Sequence, residues 1–169
     1  DPSHSTVGFQ TRHLMVSKVR GHFAEYSADL TVADRPEDST VAVTIQVASV
    51  STADEGRDGH LLSPDFFDAG RYPQLRFSSS ELSVADDGAV TLRGELEIRG
   101  ETREVEASGK FGQLGADLAG NARVGLSVAA TVDRRNFGLD WNAELPSGGE
   151  VLDYEVAVAV ELELVEEVE

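Results

Sequence analysis

Residues 152–164 read Leu-Asp-Tyr-Glu-Val-Ala-Val-Ala-Val-Glu-Leu-Glu-Leu, and this stretch decides the fold. Its even positions, Leu152, Tyr154, Val156, Val158, Val160, Leu162 and Leu164, are apolar or aromatic, whereas acids and alanines fill the odd ones. Strict alternation is the period of a strand with one buried face. The glutamates favour helix by propensity, but a helix would spread these apolar side chains around its whole circumference.

The same period recurs upstream. Inward rows are formed by Val7, Phe9, Thr11 and His13, by Tyr26, Ala28, Leu30 and Val32, and by Val41, Val43, Ile45 and Val47. A fourth begins with Leu75 and Phe77 and continues with Leu82 and Val84 on the opposite parity, which predicts a bulge in Ser78-Ser79-Ser80. Val90, Leu92, Leu96 and Ile98, with Gly94 among them, give the fifth. Val105, Ala107, Gly109 and Phe111 give the sixth, and Val124, Leu126, Val128, Ala130 and Val132 the seventh. Arg35-Pro36-Glu37-Asp38, Asp86-Asp87-Gly88, Arg99-Gly100-Glu101-Thr102 and Pro146-Ser147-Gly148-Gly149 supply the turns.

This pattern predicts a single all-β domain over residues 1–169, an eight-stranded antiparallel up-and-down β-barrel, because closure removes the exposed edges of such a sheet. A two-sheet sandwich would give nearly the same pattern. The predicted lining is rich in Val, Ala and Gly and poor in large aromatics, which favours a hollow interior able to hold one slender ligand.

Between the third and fourth predicted strands lies Arg57–Pro73, RDGHLLSPDFFDAGRYP. It is far longer than the usual connection of about four to six residues, and its aromatic side chains need a surface to cover. Ser63 as N-cap, Pro64 and Asp65 in the first turn and Gly70 as the stop predict a short helical lid carrying Phe66 and Phe67. A further helical turn is expected over His13–Lys18.

Composition narrows the function. The 169 residues carry a net charge of −17, which argues against phosphate-backbone recognition and hence against nucleic acid. There is no cysteine, and no run approaches the roughly 18 apolar residues of a membrane span. Motifs for a serine nucleophile, a zinc protease or a phosphate loop are missing, and Asn136-Phe137-Gly138 lacks the acid of a kinase metal-binding triplet. The histidines His4, His13, His22 and His60 have no metal-ligand spacing. Asp54–Asp65 departs from a calcium loop at its third, ninth and twelfth positions. No catalytic residue, metal or conventional cofactor is expected.

Other stretches carry a resemblance. His4-Ser5-Thr6-Val7-Gly8-Phe9 with Arg12-His13-Leu14, Lys18-Val19-Arg20-Gly21-His22-Phe23, and Arg57-Asp58-Gly59-His60-Leu61 through Asp65-Phe66-Phe67-Asp68 to Tyr72-Pro73 resemble the YceI-like polyisoprenoid-binding family. Arg76-Phe77-Ser78-Ser79, the hairpin Gly94–Gly100 and Arg135-Asn136-Phe137-Gly138-Leu139 fit as well, so the likeness runs from residue 4 to about residue 164. It implies a lipocalin-like barrel whose apolar cavity holds a long isoprenoid, quinone-like or other lipid ligand, and it allows a homodimer. Members of this bacterial family are exported with a leader or remain cytoplasmic without one, and a sequence starting at Asp1 does not choose between them. The acidic surface, with Glu166-Glu167-Val168-Glu169 at its end, departs from any simple attraction to anionic membranes.

The inward rows, the lid and the resemblance together nominate ligand contacts at Phe9, His13, Tyr26, Leu30, Val43, Ile45, Val47, Arg57, Asp58, His60, Leu61, Phe66, Phe67, Phe77, Leu96, Leu126, Val128, Phe137, Val158 and Val160. His13, Arg57, Asp58 and His60 are the expected head-group contacts. Two rival readings remain: an enzyme using His60 beside Asp58, or His13, for acid–base work on an isoprenoid-like substrate, and a filled barrel acting through protein contacts.

Overall fold

The computed structural model describes residues 1–112, 115–116 and 120–166; Glu167, Val168 and Glu169 of the acidic terminus lie outside the described residues. The chain forms β1 (Thr6–His13), β2 (Ser17–Phe23), β3 (Tyr26–Thr31), β4 (Thr40–Gln46), β5 (Val50–Ser51), helix α1 (Glu55–Leu62), β6 (Gln74–Val84), β7 (Ala89–Ile98), β8 (Glu101–Phe111), β9 (Gly115–Ala116), β10 (Ala122–Asp133) and β11 (Glu155–Val165). All pair antiparallel in one sheet, in the order β3-β4-β6-β7-β8-β10-β11-β1-β2-β5, with the short β9 on β10.

The two ends of this order meet through the chain itself. β3 follows β2 after Ala24-Glu25, and β5 follows β4 after a single 3-10 turn at Val47–Ser49. Ala24 N donates to Ser49 O at 3.1 Å and Gln46 N to Glu25 O at 2.9 Å, so the sheet curls back on itself. Val47, fully buried, plugs the bend. The expected count of eight strands is therefore corrected to eleven, the additional ones being β2, β5 and β9.

The longest of these three is β2. The helical turn expected over His13–Lys18 is a hairpin turn, with Leu14 and Met15 at φ +54° and +57°, and β2 runs on from Ser17. The reason lies in β2's inward row of Ser17, Val19, Gly21 and Phe23, which is too small to show alternation. Gly21 sits opposite Phe9 in the register, and a Cβ there would occupy the space of the Phe9 ring. The bulge expected in the serines is present as a register shift between Ser79 and Glu81. The C-terminal strand starts at Glu155, three residues later than expected, because Leu152–Tyr154 belong to a strap that begins after Phe137.

The interior divides along its axis. Toward the end bearing the β3–β4 and β6–β7 turns, Val41, Val43, Leu82, Val90, Leu92, Leu126, Val128 and Leu162 pack into a filled core. Toward the other end, smaller groups around Val7, Phe23 and Leu75, and around Phe66, Val132, Phe137 and Leu139, pack against the lid and strap. A Cβ on Gly94 in β7 would press on the Phe77 ring and the Ser78 carbonyl oxygen, whereas one on Gly125 would meet nothing within 4 Å. Gly94→Ala is expected to cost about 1–3 kcal/mol by overpacking, and Gly125→Ala nothing. Urea midpoints of the two variants check this; equal midpoints would contradict the packing described.

Candidate functional site

The turn at residues 14–16, the segment 52–73, the β7–β8 turn and the strap at 138–154 gather at one end of the curled sheet. Beneath them lies an interior cavity of about 830 Å³. Its wall is mainly apolar, from Val7, Phe9, Val19, Phe23, Ile45, Leu75, Leu96, Ile98, Val132, Val156 and Val158, with Leu61, Phe66, Phe67, Phe137, Leu139, Trp141 and Leu152 from the segments above. Two other hollows, of about 920 and 710 Å³, are open depressions on the outside of the sheet and enclose nothing.

The helix of the lid is displaced from its expected place. Asp54 is its N-cap, accepting from Arg57 N at 2.8 Å, and α1 occupies Glu55–Leu62; Ser63, expected to start a helix, ends this one, its hydroxyl donating to His60 O. Phe66 and Phe67 fall on the turn that follows, pinned by Phe67 N to Leu61 O (3.0 Å) and Ala69 N to Leu62 O (3.0 Å). Phe67 meets Phe23 edge-on at 5.9 Å, and Phe23 meets Phe9 at 5.6 Å. Phe66, His60 and Trp141 form a second cluster, with ring centroids 4.7–5.4 Å apart. Arg99 at the β7–β8 turn donates to Phe66 O and Gly138 O, both at 3.0 Å, and so ties lid to strap.

The polar groups have specific duties. Thr52 is the hub of the lid: its N–H and hydroxyl donate to Asp58 Oδ1 (2.8 and 2.6 Å), while Arg57 Nε donates to its Oγ1 and Nη2 to its carbonyl. Asp58 is therefore a structural anchor and no part of the cavity wall, and the partner of His60 is Asp65, at 2.8 Å, in place of the expected Asp58. Arg134, 6% exposed, holds the strap: Nε donates to Asp153 O (3.0 Å) and Nη1 to Leu139 O (2.5 Å) and Trp141 O (2.8 Å), with the guanidinium 4.6 Å over the Tyr154 ring. Its Nη2 has no hydrogen-bond partner among the described residues. Burial pulls its pKa below the ordinary guanidinium value, opposed by Tyr154, Glu150 and Asp133. At the far end, Asp1, His4 and Glu163 converge, but Arg123 Nη1 already bonds both carboxylates, at 2.7 and 2.5 Å.

Of the residues nominated from sequence, Phe9, His13, Ile45, Arg57, His60, Leu61, Phe66, Phe67, Leu96, Phe137 and Val158 line the cavity together. Val43, Leu126 and Val128 are buried in the filled core, against which Tyr26, Leu30, Phe77 and Val160 pack. Val47 sits in the bend. The hollow thus occupies the lidded half of the interior. Arg134, Trp141 and Leu139 in the wall were missed; the run of Gly and Pro between them and β11 reads as a turn, and its lone Trp was the available signal. The titratable residues that border the cavity are Arg57, Arg134, His13 and His60, with Lys18 and Arg20 from the exposed row of β2, and no carboxylate is among them, although the chain has 31 acids and 14 lysines and arginines.

Arg134→Met or Arg134→Lys should release the strap, because neither side chain can serve three diverging carbonyls. Each carbonyl left buried without a donor costs on the order of 1–3 kcal/mol. Hydrogen exchange should quicken across residues 139–154 while β7 and β8 stay protected; unchanged exchange there would remove Arg134 from this role.

The profile of the YceI-like domain matches residues 1–164. A UPF0312 protein of Staphylococcus aureus strain N315 is 33% identical over 159 residues, spanning 92% of this chain and 90% of its own. Among solved structures, the Campylobacter jejuni YceI protein superposes with a TM-score of 0.76 at 25% identity, over 93% of this chain and 90% of that one. Burkholderia cenocepacia BcnA superposes with 0.82 at 22% identity over 97% and 98%. A polyisoprenoid-binding domain from Saccharophagus degradans gives 0.69 at 16% identity over 94% and 92%. With its lid, its strap and all of its sheet but Val165 inside the matched residues, the chain belongs to the YceI-like domain family.

Proposed function

We propose that this protein binds a long apolar lipid of the isoprenoid type within a lipocalin-like barrel, and sequesters or carries it. The observation that carries this reading is the lidded cavity of about 830 Å³, apolar along its wall and free of carboxylates. That volume falls in the ~300–1,000 Å³ range of ordinary ligand sites. The Saccharophagus degradans neighbour, described as a polyisoprenoid-binding domain, supports the ligand class.

The energetics fit a chain-like ligand. Burying about twenty methylene-like carbons is worth roughly 16 kcal/mol by transfer arithmetic at ~0.8 kcal/mol each. Ligands of this size realise nearer ~0.3 kcal/mol per atom, or about 6 kcal/mol, which corresponds to a dissociation constant of tens of micromolar. Affinity comes from chain length and orientation from the polar end. His13, Arg57 and His60 stand in the wall near that end, with Arg134 beside them. Such a surface suits a head group that accepts hydrogen bonds, a quinone carbonyl or a prenyl oxyanion. Binding is favoured over catalysis because Arg57 and Arg134 are committed to Thr52 and the strap carbonyls, and His60 to Asp65.

Native mass spectrometry and solvent extraction of the purified protein should reveal a co-purifying lipid or uptake of an added quinone. Val158→Trp, which fills the cavity from β11, should abolish it while the protein stays folded, at about 1–3 kcal/mol of overpacking cost. Retention of the lipid by that variant would move the site elsewhere; no uptake by the wild type under any condition would favour a barrel acting through protein contacts.

The lid is the proposed gate. Helix α1 has eight residues, too short to persist without tertiary support, and two of them are Gly56 and Gly59. Lifting the turn exposes Phe66 and Phe67, at roughly 1.5–3 kcal/mol for each ring fully buried. Amides of residues 61–69 should exchange faster than those of β7 and β8 in the empty protein and slow on loading. Equal, slow exchange in both states would make the lid a fixed wall.

A further inference from the structure

The hairpin turn between β1 and β2 breaks a local rule, and nothing in the fold compensates for it. Leu14 and Met15 are consecutive residues at positive φ, +54° and +57°, and Val16 N donates to His13 O at 3.2 Å. Such a turn favours Asn, Asp or Gly at both positions, because a Cβ is strained there. The chain places Leu-Met-Val at the tip instead, and burial does not repay the strain: Met15 is 82% and Val16 88% exposed, with Leu14 at 40%. Where a sequence violates turn chemistry without gaining packing, function is the usual reason.

The charge around the tip is also out of keeping with the rest of the chain. Residues 2–24 contain no Asp or Glu, in a protein with 31 of them, and their Lys and Arg residues are Arg12, Lys18 and Arg20. Arg12 pairs with Lys18 in the hairpin register, and none of the three forms an ion pair among the described residues. The tip adjoins the cavity: His13, Ser17 and Lys18 stand in its wall, and Leu14 N donates to Val151 O on its rim at 2.8 Å.

We propose that the β1–β2 tip is a membrane-docking wedge. Leu14, Met15 and Val16 enter the interfacial layer of an anionic phospholipid surface while Arg12, Lys18 and Arg20 meet headgroup phosphates, an arrangement of apolar insertion flanked by cations. Docked this way, the protein turns the mouth of its cavity toward the bilayer, where an isoprenoid resides. The strap beside the tip carries Glu144, Glu150 and Asp153, which confines the contact to the hairpin and keeps it shallow. The purpose of docking rests on the lipid-binding reading; the docking itself is measured without any ligand.

The test is vesicle flotation of the wild type and of the double variant M15N/V16S. Asn suits the left-handed position, so the variant should melt at the same or a higher temperature. The wild type should float with phosphatidylglycerol–phosphatidylcholine vesicles at least tenfold more strongly than with phosphatidylcholine alone, and the variant should lose at least tenfold of that association. Uptake of a quinone dispersed from ethanol should be unchanged in the variant, while its extraction from vesicles slows. Flotation of the variant equal to that of the wild type, or no flotation of the wild type, overturns the proposal. A concentration-dependent dimer that the variant abolishes would also overturn it, by assigning the tip to a second copy of the chain. Intact docking with no quinone uptake by either protein upholds the wedge and removes the lipid-binding reading instead.

Discussion

A single buried cation holds the lidded end together. Without Arg134, the carbonyls of Leu139, Trp141 and Asp153 would have to find other donors or turn to water, and the strap that carries Trp141 over the cavity would lose its anchor. A guanidinium out of water is costly, and part of that cost remains at Nη2, which has no hydrogen-bond partner among the described residues. Here three bonds go to neutral carbonyls and the face rests on Tyr154, so charge is delocalised into oriented dipoles and a ring and not cancelled by a carboxylate. That choice leaves the cavity wall without a negative group. It also places Trp141 against His60 and Phe66, which in turn seats the lid.

The fold solves two packing problems at opposite ends of one curled sheet. At the far end, alternating Val and Leu from β4, β6, β7, β10 and β11 are large enough to meet across the interior, and Leu82, 2% exposed, marks its density. At the lidded end, beside the bends at Ala24-Glu25 and Val47–Ser49, the wall encloses a cavity instead. Phe9, lying over Gly21, is held flat against the wall by its own strand pair instead of filling the centre. A hollow persists because its lining is ordered by neighbours in the sheet and needs no partner across the void.

The strands were legible because a period of two with one buried face survives even in a sequence rich in helix-favouring glutamate, as in Val156 to Leu164. The bulge at Ser79 was legible for the same reason, since parity had to change between Phe77 and Leu82. β2 was not, because its inward residues include Ser17 and Gly21, the latter small so that Phe9 can lie over it, and alternation vanished with their size. The lid was found, but its helix was misplaced, with the N-cap at Asp54 and not at Ser63. Ser63-Pro64-Asp65 has the chemistry of a helix start, but Asp54 captured the Arg57 amide first, and tertiary anchoring of Thr52 to Asp58 made a helix containing two glycines stable. Arg134 and Trp141 were hidden more deeply. An arginine after a strand reads as surface, and the strap has no periodicity from which burial could be inferred.

Which end of the interior is open to the ligand proposed above follows from the same asymmetry. The chain is acidic overall, so its surface field repels anions at long range. Screening confines that field to about 8 Å at physiological ionic strength, and groups under the lid respond to their own neighbours. The cavity wall there presents cations and imidazoles, while the nearby carboxylates Asp58 and Asp65 are engaged by Thr52 and His60. An apolar chain with an acceptor head meets complementary groups there and, at the opposite end, only a packed core. For the proposed ligand this asymmetry favours one direction of insertion, with the tail in the hollow pointing toward the filled core and the head beneath the lid beside His60 and Arg57.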